Sequence, residues 1–356
     1  MLTTTSIKEH ARSLGFDACG VAPAASFPEL RRIREWISRG YAGDMGYLPR
    51  TAARREDVRL VLPSARSVIV TGTVYNVDRP YSVERSDPGE AIVSRHAWGA
   101  DYHDVVGRRL NDLLVWLRAQ HAAPFEALAF VDTGPVHERV YAQHAGLGWI
   151  GSHGCLINPD LGSWFFLSEI ICSLPLEADQ PALDQCGTCR LCLEACPTGA
   201  LVEPHVLDAT RCVSYLTIEL RREIPEPLRA PVGTHVYGCD ICQDVCPWNQ
   251  SAVRSDDPAW QPRPGLAHPR LLDWWRRTDE ELASLIQGSA MTRAGVRGLR
   301  RNLAVALGNS ADPAADRGID ETTPDQGSGS RTDPMVQEHV RWARGRRPSE
   351  RRHPVE

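Results

Sequence analysis

The 356-residue chain has no long hydrophobic run. Its apolar stretches are short; those such as residues 68–70 and 165–167 suit strands, whereas a membrane helix needs ~20 residues. No apolar signal core follows Met1. Arg31 and Arg32 are adjacent, but Ile33-Arg34-Glu35 follows, which is no twin-arginine export signal. These absences predict a cytoplasmic protein with no membrane partner. Positive charge is not in excess either. A net charge of −5 excludes a generally basic surface and leaves only local arginine clusters to meet phosphate. No internal repeat stands out.

Cysteine, by contrast, is abundant. There are 11, and eight of them lie between Cys186 and Cys246. In a cytosolic chain such crowding predicts ligands rather than disulfides. The first motif is Cys186-x2-Cys189-x2-Cys192-x3-Cys196-Pro197 and the second Cys239-x2-Cys242-x3-Cys246-Pro247, with Cys212 between them. The first spacing is the bacterial ferredoxin run, whose fourth cysteine ligates the other cluster. Crossing the motifs gives one [4Fe–4S] site from Cys186, Cys189, Cys192 and Cys246, and a second from Cys196, Cys212, Cys239 and Cys242. Zinc held by two Cys-x2-Cys pairs is the alternative, but a zinc ribbon has no use for the x2-Cys-x3-Cys-Pro extension. Cys19, Cys155 and Cys172 lie outside the motifs and read as small buried residues.

Length and pattern divide the chain into residues 1–178, 179–255, 256–309 and 310–356. The first 60 or so residues read as broken helix. After them come a strand at 67–71, a helix at 102–117, a strand at 127–131, a helix at 138–145 and a strand at 164–172. Strands alternating with helices predict an α/β or α+β domain. The cysteine segment is too rich in glycine and proline to build a large core, so metal must hold it together. Residues 271–308 read as helical. Residues 310–332, rich in Asp, Pro, Gly and Ser, read as a disordered linker before a short helix near 336–344 and a basic tail with Arg344, Arg346, Arg347, Arg351 and Arg352.

Clusters in a small module pass electrons singly, which implies an external one-electron donor of ferredoxin or flavodoxin type and an acceptor in the upstream domain. Asp132-Thr133-Gly134-Pro135-Val136-His137-Glu138-Arg139 leaves a strand and opens a helix. Asp132 there is either a general acid whose proton is held by partial burial or a helix cap. Residues 146–154 are glycine-dense, and either admit a flat cofactor to the backbone or form a plain loop. They do not fit a nicotinamide fingerprint. Asp101 and His103 are candidates for binding or for structural hydrogen bonds.

With these segments in hand, the chain resembles the epoxyqueuosine reductases over residues 7–309. The likeness rests on Leu14-Gly15-Phe16-Asp17, Trp98-Gly99-x-Asp101-Tyr102-His103, Val131-Asp132-Thr133-Gly134-Pro135 and Ala145-Gly146-Leu147-Gly148-Trp149-Ile150-Gly151. It continues through Leu161-Gly162-Ser163-Trp164, the double cysteine module with Cys246-Pro247-Trp248-Asn249, and Arg301-Asn302-Leu303. The resemblance implies a nitroreductase-like domain holding base-off cobalamin, with Asp132 as proton donor and Arg55, Ser94, Leu156 and Leu167 at cobalamin contacts. It implies reduction of epoxyqueuosine at the tRNA wobble position by a monomeric enzyme, with electrons passing through two [4Fe–4S] clusters to cobalamin. The modified base would be splayed into a pocket. Arg293, Arg297, Arg300 and Arg301 are the candidate phosphate contacts, against a solvated helix face.

The chain departs from the family pattern in two places. Ser152 stands where many relatives carry Lys, and the residues after Asn309 do not read as the helical repeats that some relatives append to grip tRNA. Two other readings compete. A reductive dehalogenase shares the cobalamin and twin-cluster plan, but is disfavoured by the missing export signal and by residues 132–139. A non-enzymatic electron carrier leaves the upstream domain without a purpose.

Overall fold

The computed structural model describes residues 2–319 and 329–346. Helix α1 (Thr4–Ser13) starts at a capping box in which Thr3 and Ser6 satisfy each other's backbone N–H. It leads into strand β1 (Ala18–Pro23), then β2 (Ser67–Val74), helix α2 (Tyr102–Gln120), β3 (Ala127–Phe130), helix α3 (Glu138–His144) and β4 (Phe165–Cys172). The strands form one sheet in the order β1-β2-β4-β3, and every pairing is antiparallel. The domain is therefore α+β, not a parallel doubly wound sheet. β1 was not expected among the first 60 residues. Its six residues, Ala-Cys-Gly-Val-Ala-Pro, are too short and too small to show alternation.

All eight residues of β2 are buried, because both sheet faces are covered. On one face α2 presents Val105, Val106, Leu110, Leu113, Leu114 and Leu117, packed with Ile69 and Ile170. Burying each such side chain contributes about 1.5–3 kcal/mol. On the other face Val140 and Tyr141 of α3 meet Val68, Val70 and Ile171. Alternation along β4 turns Glu169 to this second face, between Leu167 and Ile171.

The cysteine segment has little regular structure: one-turn helices at Leu191–Glu194 and Ile241–Asp244, and a small hairpin of Leu201–Glu203 with Val206–Leu207. It is fastened to the sheet domain by polar contacts. Asp240 accepts from Ser94 Oγ (2.5 Å) and Arg95 N (2.7 Å), and Trp36 Nε1 donates to Leu207 O (2.6 Å).

Helix α4 (Gly295–Asn309) is buried along its C-terminal eleven residues. The chain does not become a linker after it. Residues 313–318 form a short helix, and α5 (Pro334–Gly345) buries Met335, Val336, His339, Val340 and Ala343. α5 crosses α4 at Gly308, where an added Cβ would lie 2.7 Å from Ala343 Cβ. The central part of the expected linker (320–328) and Arg347, Arg351 and Arg352 of the basic tail lie outside the described residues. Among those described, no helix is long and apolar enough to cross a membrane.

Candidate active site and metal centres

Asp132 stands just past β3 with φ +58°, a left-handed conformation that Asp tolerates better than most residues. Three side chains hold it there. Its backbone N–H donates to Glu138 Oε1 (2.7 Å). Its Oδ2 accepts from Tyr102 Oη (2.9 Å) and lies 3.5 Å from His103 Nε2. His103 Nδ1 is 2.8 Å from Asp101 Oδ1, so one imidazole bridges two carboxylates. Tyr102 is stacked on Phe166, with ring centroids 4.4 Å apart.

The charges of this group are set by packing and partners. Crowding pushes the Asp132 carboxyl up, but hydrogen bonds from His103 and Tyr102 outweigh it and leave the pKa below its ordinary value. The bond to Asp132, and after it the one to Asp101, raises that of His103. Burial, then the nearby Asp132 charge, pushes Glu138 up to about 7. Glu169 is fully buried. Burial and the facing Glu138 carry it well above the usual carboxylate range, and neither carboxyl oxygen has a hydrogen-bond partner among the described residues. Partial burial favours a proton on Asp132, as a general acid there requires, but its hydrogen-bond donors work against burial. Asp132 thus gives up its proton more readily than an ordinary aspartate, whereas His103, Glu138 and Glu169 hold theirs more tightly than usual.

Asp132, Tyr102, His96, Glu138 and Cys155 are ringed by protein. Even so, none of them is closed off from solvent, and the Asp132 side chain is 59% exposed. That combination marks a cleft. Arg55 reaches into it, donating to Val136 O (2.7 Å) and lying near Asp132, Glu138 and Glu169. Ser94 is buried, bonded to Asp240 and to His96 Nδ1 (2.7 Å), and His96 in turn lies near Asp132 and His103. Leu156 and Leu167 pack on the α3 side of the sheet. The glycines at 148 and 151 serve the tight hairpin of Trp149–Ile150 with Leu156–Ile157. A Cβ at Gly148 would fall 2.1 Å from Ile157 O.

The thiols fall into two neighbourhoods. Cys246 feels Cys186, Cys192 and Cys189, and burial with this company raises both Cys192 and Cys246 to about 11. Cys242 feels Cys239, Cys212 and Cys196 as well as Cys155. Burial and neighbouring thiols push Cys239 and Cys242 well above the ordinary thiol value. Cys186, Cys189, Cys192 and Cys246 also line one cavity of about 50 Å³. Eight soft donors in two sets of four suit two iron–sulfur cubanes, and bound iron relieves the crowding by holding the thiolates deprotonated.

Comparison with known proteins identifies the cysteine segment and the family. Residues 185–249 match the family model of the 4Fe-4S double cluster binding domain, and residues 55–133 that of "Epoxyqueuosine reductase QueG, DUF1730". The chain is 43% identical to the epoxyqueuosine reductase of Gloeobacter violaceus over 88% of its own length and 98% of that protein. It is 36% identical to that of Escherichia coli, over 95% and 87%. The chain belongs to the epoxyqueuosine reductase family. Its fold superposes on an epoxyqueuosine reductase crystallised with an epoxyqueuosine-modified tRNA-Tyr stem loop, with TM-score 0.84 and 32% identity over 96% of this chain and 89% of that one. It superposes equally on the Streptococcus thermophilus enzyme, with TM-score 0.84 and 29% identity over 97% and 90%.

Two of the expected phosphate contacts of this reductase are corrected. Arg300 and Arg301 are 1% exposed. Arg300 binds Asp279 (3.0 Å) and Trp275 O (2.8 Å), and Arg301 binds Leu216 O, Leu220 O and Arg222 O. Arg293 and Arg297 remain half exposed, paired with Glu219 and Asp333, and Arg293 lies over the Tyr47 ring, 5.9 Å from its centroid. Sequence reasoning missed Tyr102, Glu138 and Glu169 as site residues. Tyr102 and Glu138 lay inside segments already singled out, whereas a lone Glu in an apolar strand at 169 was the signal passed over.

Proposed function

We propose that the Asp132 cleft is where epoxyqueuosine in tRNA is reduced to queuosine, using electrons from the two cysteine sets. The balanced change is epoxide plus two electrons and two protons giving an alkene and water: both C–O bonds break and the second C–C bond forms. Cys186, Cys189, Cys192 and Cys246 hold one [4Fe–4S] cluster, and Cys196, Cys212, Cys239 and Cys242 the other. Arg55, Ser94, Leu156 and Leu167 would hold cobalamin at the cleft, beside which the fully buried Glu169 carboxyl, close to Arg55, has no hydrogen-bond partner among the described residues. When bound, the clusters and cobalamin supply the two electrons.

The protein's own part is proton delivery. His103 and Tyr102 point at Asp132 Oδ2. A proton passed to Asp132 at that oxygen leaves Asp132 as a neutral acid facing the cleft, able to protonate the departing oxygen. Burial strengthens the hold on a proton at Glu138, bonded to the Asp132 backbone, and at Glu169 facing it. Arg293 and Tyr47 at the rim offer a cation and an aromatic face to the splayed anticodon loop. The observation that carries this reading is one cleft containing a Tyr–His–carboxylate cluster, with His96 beside it bonded to Ser94, whose hydroxyl is bonded to the cluster loop at Asp240.

The test is nucleoside mass spectrometry after anaerobic incubation of reduced holoprotein with epoxyqueuosine-containing tRNA. Queuosine, lighter by one oxygen, is expected. Unchanged epoxyqueuosine with both clusters reduced and cobalamin bound would refute the reading.

A further inference from the structure

The turn between Trp149–Ile150 and Leu156–Ile157 carries Ser152-His153-Gly154, none of which the reaction above uses. It is rigidly held. Gly151 N donates to Cys155 O, and Gly154 N to Gly151 O, both at 2.8 Å. From the cluster module, His205 N donates to Ser152 O (3.0 Å), and His205 Nδ1 lies 3.1 Å from Gly151 O. The turn is thus clamped onto the hairpin that follows Cys196.

His153 is 5% exposed, and its Nδ1 accepts a hydrogen bond from Cys155 N (3.1 Å). A ring nitrogen that accepts carries no proton, so the single proton of the neutral ring is on Nε2. That N–H is buried and has no acceptor among the described residues. His153 lines the cavity it shares with Cys186, Cys189, Cys192 and Cys246. A second orphaned donor stands beside the same thiols: Trp149 Nε1 is buried without a partner, and its side chain packs with Cys246, Cys186 and Trp248. Two unmatched N–H groups around one thiol set lack an acceptor that sulfur would supply.

We infer that His153 Nε2–H donates a hydrogen bond to a sulfur of the cluster held by Cys186, Cys189, Cys192 and Cys246, and thereby sets that cluster's potential above the value its burial alone would give. Reduction adds negative charge to the cubane. An N–H dipole fixed toward its sulfur stabilises the reduced form and raises the potential. Nδ1 is tied to the backbone, so the ring cannot turn its proton away. The inference rests on the cluster assignment above and adds a tuning residue to it.

The experiment uses anaerobically purified holoprotein. Redox titration followed by electron paramagnetic resonance compares the unmodified protein with His153→Leu and His153→Gln, the latter keeping an N–H donor. In His153→Leu one cluster is expected to become about tenfold harder to reduce, ~59 mV for one electron, while the other stays put. His153→Gln recovers part of the shift. Unmodified protein labelled with 15N-histidine is expected to show an exchangeable proton and a 15N nucleus coupled to one reduced cluster, a measurement that stands even where His153→Leu loses iron. Two unmoved potentials in an iron-replete leucine variant, or no 15N coupling in the unmodified protein, overturn the inference. Unmodified protein free of iron would remove the cluster assignment and this inference together, a result distinct from an unshifted potential in iron-replete protein.

Discussion

Asp132 is held by three neighbours in a backbone conformation that few non-glycine residues adopt. Its charge, not merely its shape, matters if it relays protons. Asp132→Asn keeps an oxygen for Tyr102 to bond but can no longer gain and lose a proton. Turnover in the nucleoside assay is expected to fall by about 10²–10⁴-fold, with iron content unchanged; wild-type turnover would take Asp132 out of the chemistry. Glu138 tests the same cluster through stability. Its pKa, about 7 in the fold against 4.5 for an ordinary glutamate, means the folded state binds the extra proton. Stability from this group is therefore complete below about pH 4.5 and lost as pH rises through 7. Asp244, pushed up to about 7 by burial and Asp240, acts in the same window, so thermal melts between pH 5 and 7.5 are expected to fall with rising pH in the unmodified protein and less steeply in Glu138→Gln. Parallel curves would show that Glu138 does not hold the proton. None of these charge states was legible in the sequence. Asp132 itself was, because it ends an apolar run, but which neighbours approach it depends on α2 and β4 meeting across the sheet.

Among the elements, α4 shows why a basic run misleads. Arg300 and Arg301 read as surface charge, yet both lie in the core. Among the described residues Arg301 has no carboxylate bonded to it and instead gathers the carbonyls of Leu216, Leu220 and Arg222, while Asn302 Nδ2 donates to Thr217 O and Val236 O, both at 2.8 Å. Residues 216–222 follow Cys212, and Val236 precedes Cys239. Arg301 and Asn302 thus pin together the two segments that bring thiols to one cluster. Arg301→Met takes the donor from the two buried carbonyls of Leu216 and Leu220, at about 1–3 kcal/mol each, and from the part-buried one of Arg222. A lower Tm is expected, with iron falling from about eight per chain toward four; full iron and an unchanged Tm would show that the pin is dispensable. Cys212→Ser attacks the same cluster directly and is expected to cost one cluster while sparing the other, with full iron content breaking the ligand assignment. α2 was readable because its apolar positions recur at helical spacing over nineteen residues. The antiparallel pairing of the sheet was not, since strand direction is set by long-range contacts that local periodicity does not encode.

For the whole molecule, the cysteine spacing made the double-cluster module at residues 185–249 legible, because a cubane dictates its ligands' positions along the chain. Nothing comparable dictates where tRNA lies, and there the arginine expectation half failed. The two arginines left at the surface, Arg293 and Arg297, have carboxylate partners in Glu219 and Asp333. Exposed pairs of this kind contribute only about 0–1 kcal/mol, so phosphate can displace the carboxylates at little cost. Since net charge is −5, long-range attraction to tRNA is weak and local contacts must carry the salt dependence of binding. Each arginine that neutralises a phosphate of a single-stranded loop adds about 0.7 to the slope of log affinity against log salt. Arg293→Ala with Arg297→Ala is therefore expected to lower that slope by about 1.4 in titrations of an epoxyqueuosine stem loop, and to weaken binding most at low salt. A slope equal to that of the unmodified protein would move the tRNA path off this face of the molecule. Arg300→Lys offers the contrast: buried against Asp279 and two backbone carbonyls, it is expected to lower Tm and leave the slope where it was.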